Sequence, residues 1–230
     1  VVGKAASVGN TIEDVVFDTP FPEGDSVVVV CQAVMGSTKY GTVTRVTDVT
    51  NTGFKLRQVG QSTQSSIAKK AIYYIAASKG QAKLGDGYII SAGTSDQKIG
   101  GTTYRATAFD SYSYNADNTL RHDTLMLADP VILCGPQTDY LSEVASTFRI
   151  NAPRTINATA ADGSQYKATY GLTIKRQIDA SAGSVKNNTA ALTGDTMGWI
   201  CISRDTEDQS TDGIIATQAI DGNTYYTISG

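Results

Sequence analysis

The chain is poor in the residues that most chemistry needs. Its 230 residues include one histidine, one tryptophan, three cysteines and five prolines, and only 18% are charged. The lone histidine, His122 in Leu120-Arg121-His122-Asp123, has no nucleophile motif to serve, because Gly-x-Ser-x-Gly is absent. A surface histidine is the simpler reading. No Cys-x-x-Cys, His-x-x-x-His or phosphate-cradling glycine loop occurs, which excludes metal and nucleotide sites built on those spacings. A carboxylate pair for glycoside hydrolysis would have to meet across a cleft, and the acids here fall mostly in turns. The sequence therefore predicts no enzyme.

Charge of either sign is scarce as well. A formal net charge of -3 with scattered lysines and arginines gives no grip on a phosphate backbone, so no nucleic-acid partner is expected. The longest apolar run, Val27-Val28-Val29-Val30, falls far short of the roughly 20 residues that cross a bilayer, so no membrane insertion is expected. Three thiols cannot all pair within one chain. Cys31 and Cys134 each close an apolar run, where a small hydrophobe suffices. A Cys134–Cys201 bridge stays open beside buried free thiols.

What is present is a β pattern. Thr42 to Val49 alternates strictly between polar and apolar residues, as a half-buried strand requires, and Phe54-Lys55-Leu56-Arg57 returns with Phe54 and Leu56 inward. Asn51-Thr52-Gly53 between them predicts a sharp reversal, since Asn and Gly tolerate positive φ. Val27 to Ala33 and Ile72 to Ala77 are apolar on both faces, which suits strands inside a packed sandwich. Lys79 to Gly87 reads as a glycine-rich turn, and Tyr88 to Ala92 as the next strand. No stretch has a capped 3.6 period, apart from a single turn of helix suggested at Ser66 to Lys70.

These events recur. Cys134 answers Cys31, Gly171-Leu172 answers Gly53-Phe54, and Trp199-Ile200 answers Tyr74-Ile75. Asp212-Gly213 answers Asp86-Gly87, and Thr224-Tyr225 answers Thr103-Tyr104. The offsets stay between about 103 and 126 residues, as expected where loops lengthen and shorten in a duplicated unit. The expected fold is all-β, two tandem antiparallel β-sandwich modules with the same topology. Residues 1–110 form the first, 111–118 a polar linker and 119–230 the second.

The series Val16-Phe17, Phe21-Pro22, Val27 to Val30, Arg45 to Arg57 and Tyr74-Ile75-Ala76 resembles the H-type lectin domain, over roughly Val16 to Ala77. A fainter trace covers about Leu127 to Ile202. The resemblance lies in a "Val-Thr-x-x-Gly-Phe" hairpin and a later "Trp-Ile-Ala" strand; here Tyr74 replaces the Trp in the first copy and Cys201 the Ala in the second. It implies a six-stranded antiparallel sandwich, assembly into trimers or hexamers, and binding of N-acetylgalactosamine-like sugars. No sugar-contacting position of the family maps onto this sequence.

Abundant Thr, Ser, Gly and Tyr point to an extracellular, cell-surface or virion setting. The start at Val1, without a methionine, is expected of a processed protein or of a piece of a longer one. Tyrosines beside Asn, Asp and Arg suit contact with a sugar ring, whose apolar face stacks on an aromatic while its hydroxyls find polar groups. Tyr40, Tyr88, Tyr112, Tyr114 and Arg204 are the candidate ligand-binding residues. Tyr73, Tyr140, Tyr166 and Tyr170 belong to the same wider set. Trp199, mid-strand among apolar neighbours, reads as core.

The run Asp205 to Gly213 bunches hard oxygen donors, and Asp205, Glu207, Asp208 and Asp212 are candidate Ca2+ ligands beside the simpler reading of a solvated acidic turn. No other cofactor is expected. Two functions follow: a non-catalytic glycan-binding or adhesion module whose partner is a glycan or cell-surface polysaccharide, or a structural subunit of a virion (capsid, tail or fibre) or surface assembly with no sugar ligand. Either reading expects a homo-oligomer or membership of a larger assembly.

Overall fold

The computed structural model describes residues 1–34, 42–60, 67–85, 88–95, 105–114, 120–124, 127–128, 130–137, 146–159, 165–178, 196–204, 216–220 and 223–227. Its first strands are β1 (Val2–Val8), β2 (Glu13–Val16), β3 (Val27–Ala33), β4 (Thr42–Thr47), β5 (Gly53–Gly60), β6 (Lys70–Ser78), β7 (Gly80–Gly85), β8 (Tyr88–Thr94) and β9 (Arg105–Ala108). Then come β10 (Asp110–Tyr114), β11 (Leu120–Thr124), β12 (Leu127–Ala128), β13 (Val131–Pro136), β14 (Ser146–Thr159), β15 (Gln165–Ile178), β16 (Met197–Arg204), β17 (Ala216–Ile220) and β18 (Asn223–Thr227). All pairings among them are antiparallel, and no helix occurs among the described residues, including at 67–70. The protein is all-β.

Alternation decides how the first strands pack. β1, β6 and β3 pair in the order β1-β6-β3, and β2, β5 and β4 in the order β2-β5-β4. Residues of one parity on each strand meet between these sheets: Val27, Val29, Ile72, Tyr74 and Ala76 from one, Val46, Phe54 and Leu56 from the other, with Phe17 beside them. Phe54 stands edge-on to Tyr74 with centroids 5.0 Å apart, and Phe17 packs 5.2 Å from Phe21. Each such side chain contributes about 1.5–3 kcal/mol by leaving water. Gln58, fully buried, closes the corner: its backbone N–H donates to Gly9 O at 2.7 Å and its amide donates to Val8 O, where a bulge shifts the register of β1.

The reversal between β4 and β5 is built differently from the expected Asn-Gly turn. The left-handed residue is Asp48, at φ 49°, and neither Asn51 nor Gly53 has a positive φ. Thr50 organises the turn instead, its hydroxyl accepting from the backbone N–H of Thr52 and of Gly53 at 3.2 Å each. Asn51 tacks the turn to the preceding loop, accepting from Phe21 N–H at 2.8 Å. Gly53 is required by close approach, because a Cβ there would strike the Val15 carbonyl as β2 passes.

A second pair of sheets has the orders β13-β16-β8-β7 and β12-β15-β14, the latter with β9 on β15. Phe109, Leu127, Leu172, Ile174, Met197, Trp199 and Cys201 fill the space between them, all but closed to solvent. Trp199 lies 4.9 Å from Phe109, and a Cβ on Gly93 of the neighbouring strand would fall on its ring. Tyr74 stands over Gly3 in the same way. A third apolar cluster joins the two outer faces, with Val28 and Ala77 on one side and Ala92 and Ile200 on the other. Gln137 adds a polar tie: Val29 N–H donates to its Oε1 at 3.1 Å, and its Nε2 donates to Val29 O at 2.5 Å.

The sheets join what the sequence reading separates at residue 110. β8 pairs with β16, placing Gly93 opposite Trp199, and β9 pairs with β15. Of the expected linker, 111–114 belong to β10, which pairs with β11 as Tyr112 meets His122. The expected turn at Lys79 to Gly87 contains β7, whose alternate residues carry a ladder along β8. The two Asp-Gly landmarks, 86–87 and 212–213, and Thr103-Tyr104 lie outside the described residues, as does the 205–213 run. All three cysteines are free thiols. Burial pushes Cys134 up to about 11 and raises Cys31 and Cys201 further, so none is a ready nucleophile.

Candidate functional site

Where a sheet's outer face is covered is set by the third apolar cluster. Successive outward rows of β1, β6 and β3 read Val2–Ile75–Val30, then Lys4–Tyr73–Gln32. Val30 and Ile75 pack into the contact between the sheets, whereas the next row clears it. Tyr73 keeps 49% of its surface open at mid-strand, because Ile72 and Tyr74 on either side take the inward positions. The Lys4 ammonium stands 5.6 Å from the Tyr73 ring centroid, and Gln32, exposed, flanks the ring from the other side. A flat aromatic face thus sits between a cation and a carboxamide. Val2, 75% exposed, and Val34, also exposed, extend the apolar surface at either end.

The outward face of β8 and β16 has a comparable row. Tyr88 pairs directly with Arg204, so the register brings together two of the residues singled out from sequence. Tyr88 is 48% exposed, and the exposed Leu84 and Val131 lie on neighbouring strands. Tyr112 and Tyr114 lie two residues apart on β10, paired in register with His122 and Leu120 of β11, and β10 approaches β8. Tyr40 and the candidate Ca2+ ligands Asp205, Glu207, Asp208 and Asp212 lie outside the described residues. Among the described residues no group of three or more His, Cys, Asp or Glu is placed to hold a metal ion.

No protein-family model matches this chain. No curated protein or solved structure matches it either.

A second aromatic–cation contact lies on the long β14–β15 hairpin, where the Arg154 guanidinium stacks 4.6 Å from the Tyr170 ring centroid. Tyr170 is the extra residue where the register of β15 shifts against β14, and its carbonyl accepts from Phe109 N–H at 2.9 Å. That ring is anchored beside the second core. The Tyr73 row was the feature least visible in sequence. The signal that could have found it is the Tyr73-Tyr74 pair itself, since adjacent strand residues face opposite ways and both aromatics cannot be core.

Proposed function

We propose that this chain is a non-catalytic glycan-binding or adhesion module of an extracellular or particle surface. The observation that carries the reading is the Lys4–Tyr73–Gln32 row: an open aromatic plate with hydrogen-bonding groups on both sides. A pyranose ring stacks its C–H face on such a plate and offers hydroxyls to the amide and ammonium. The row lies on a rigid central strand, so little ordering cost attends binding. Tyr88, half exposed and in register with Arg204, offers a second aromatic on the other sheet. A glycan array probed with the intact chain tests the reading. Binding at millimolar affinity or better, weakened by Tyr73→Ala, supports it, and uniformly blank results overturn it.

The same reading treats the chain as a duplicated six-stranded sandwich whose second copy is built on β8, β9, β13, β14, β15 and β16, with β10, β11 and β12 inserted between them. Support comes from matching register. Cys31 faces Tyr74 and Gly3 lies beneath it, while Cys134 faces Trp199 and Gly93 lies beneath it. Phe17 N–H donates to Thr52 O just before Gly53, and Phe109 N–H donates to Tyr170 O just before Gly171. The resemblance to the H-type lectin domain is of a piece with this arrangement and adds the expectation of sugar ligands.

A structural subunit of a virion or surface assembly is the second reading. It is favoured by the exposed branched side chains Val2, Val16 and Val131, which suit contact with neighbouring subunits. Particle mass by light scattering separates the two: a large stable oligomer with a blank array supports the structural role.

A further inference from the structure

We propose that the Lys4–Tyr73–Gln32 row is a subsite for an acidic sugar, a hexuronic acid residue within a polysaccharide, with its ring on Tyr73 and its carboxylate on Lys4. The proposal rests on the glycan reading above and specifies its ligand.

Three observations carry it. First, the charge beside the plate is positive and available. Lys4 is exposed and forms no ion pair among the described residues, where Asp48 and Glu13 are taken by Lys55 and Lys69. A neutral sugar would leave that ammonium with only the weak pull of the ring quadrupole, whereas a carboxylate gives it a charge-assisted hydrogen bond.

Second, the corresponding row of the other sheet is a docking position. There the residues opposite one another are Thr94, Gly198 and Gly135, one step beyond Trp199 as Lys4, Tyr73 and Gln32 are one step beyond Tyr74. The two glycines leave room that the chain itself fills: a Cβ on Gly198 would meet Gln137 Cδ at 2.5 Å, and one on Gly135 would touch Val30 at 3.8 Å. One sheet has emptied this row to admit a neighbour, while the other keeps an aromatic, a cation and an amide there and leaves them open to solvent. Side chains of that kind recognise a polar, ring-shaped ligand better than they recognise a second apolar sheet.

Third, the geometry suits one ring. Cross-strand neighbours lie about 5 Å apart, so Lys4 and Gln32 flank Tyr73 at about the half-width of a pyranose with its substituents. The carboxylate on C5 then falls toward one flank and the ring hydroxyls toward the other.

The test is titration calorimetry of the intact chain with tetrameric hexuronates based on galacturonate, glucuronate and mannuronate, each against its methyl ester. The ester keeps the ring and removes the charge. Binding of at least one acid form is expected at millimolar affinity or better, with its ester about tenfold weaker, equivalent to about 1.4 kcal/mol. Lys4→Gln should bring the acid form down to the level of the ester, and Tyr73→Ala should weaken both about tenfold. Tyr73→Thr, which puts a strand-favouring β-branched residue in its place, should behave as Tyr73→Ala and separates lost stacking from lost folding. No binding to any of the three acids overturns the proposal. So does binding that ignores both substitutions. If neutral sugars on the array still bind, the wider glycan reading survives that failure; if the array is also blank, both fall.

Discussion

Gly93→Ala is the most direct probe of how the second core is packed. A methyl on Gly93 would land on the six-membered ring of Trp199, 2.8 Å from Cε2 and 3.1 Å from Cη2, with Cζ2 nearer still. Trp199 has no exposed surface and is backed by Phe109 at 4.9 Å, so the ring has nowhere to go. Overpacking of this kind costs about 1–3 kcal/mol. Replacing glycine within a strand otherwise gains about 0.5–1 kcal/mol from lost chain freedom. The clash wins, for a net loss of about 1–2 kcal/mol, or a fall in Tm of about 2–8 °C for a chain of this size.

Urea unfolding followed by fluorescence reads this cleanly, since Trp199 is the only tryptophan. Trp199→Phe shortens the ring and should couple with Gly93→Ala, the double variant losing less than the two single losses together; circular dichroism follows that pair. Gly3→Ala is the internal comparison. Its methyl would fall on the Tyr74 ring, which is buried against Phe17 and Phe54 as Trp199 is against Phe109, so a loss of similar size is expected. A Gly93→Ala variant as stable as the parent would refute the packing described for β8 and β16.

Gln137→Leu removes both bonds to Val29 and leaves a backbone donor and acceptor unmet, so it should lower stability by about 1–3 kcal/mol in the same urea assay. Asp48→Val forces a branched residue into the left-handed region and should lose about 1–2 kcal/mol, with Asp48→Gly close to neutral; equal losses for the two would show that the Lys55 ion pair, not backbone strain, sets the cost. The thiols make a pH prediction. Because burial raises them in the folded chain, the unfolded chain ionises first, and stability should be level below about pH 8.5 and fall above it. Cys134→Ala should flatten part of that fall between pH 8.5 and 9.5, and an unchanged slope argues against burial of this thiol. In the native state at pH 7.5 a thiol reagent should titrate none of Cys31, Cys134 and Cys201 quickly, and all three after unfolding.

Much of the fold could be read from local alternation. Phe54 and Leu56 point inward on β5 because their spacing allows nothing else, and Ile72 to Ala77 forms a central strand because both its faces are apolar. The recurrence of Cys before the turn and an aromatic on the later strand corresponds to one register, Cys31 with Tyr74 and Cys134 with Trp199. Alternation fixes a face and leaves the partner open. β8 follows β7 directly in the chain, yet it also hydrogen-bonds to β16 more than a hundred residues later, and nothing in Tyr88 to Ala92 names that partner. The turn at 48–53 differs in detail from the Asn-Gly expectation because a threonine hydroxyl can organise a reversal that Asn-Gly also suits. Tyr73 stands in the sequence only as one of a wider set of tyrosines, because its exposure depends on where the second sheet stops.

The Gln137 tie has a consequence beyond stability. β3 is the last strand of its sheet, and Val29 sits at the middle of that border with its N–H and C=O directed outward. A carboxamide presents the same donor and acceptor as a peptide unit, so Gln137 occupies the border as a one-residue imitation strand. A stray chain seeking to extend the sheet finds that position taken, which guards a valine-rich segment against self-templated fibrils without any charge or proline on the strand itself.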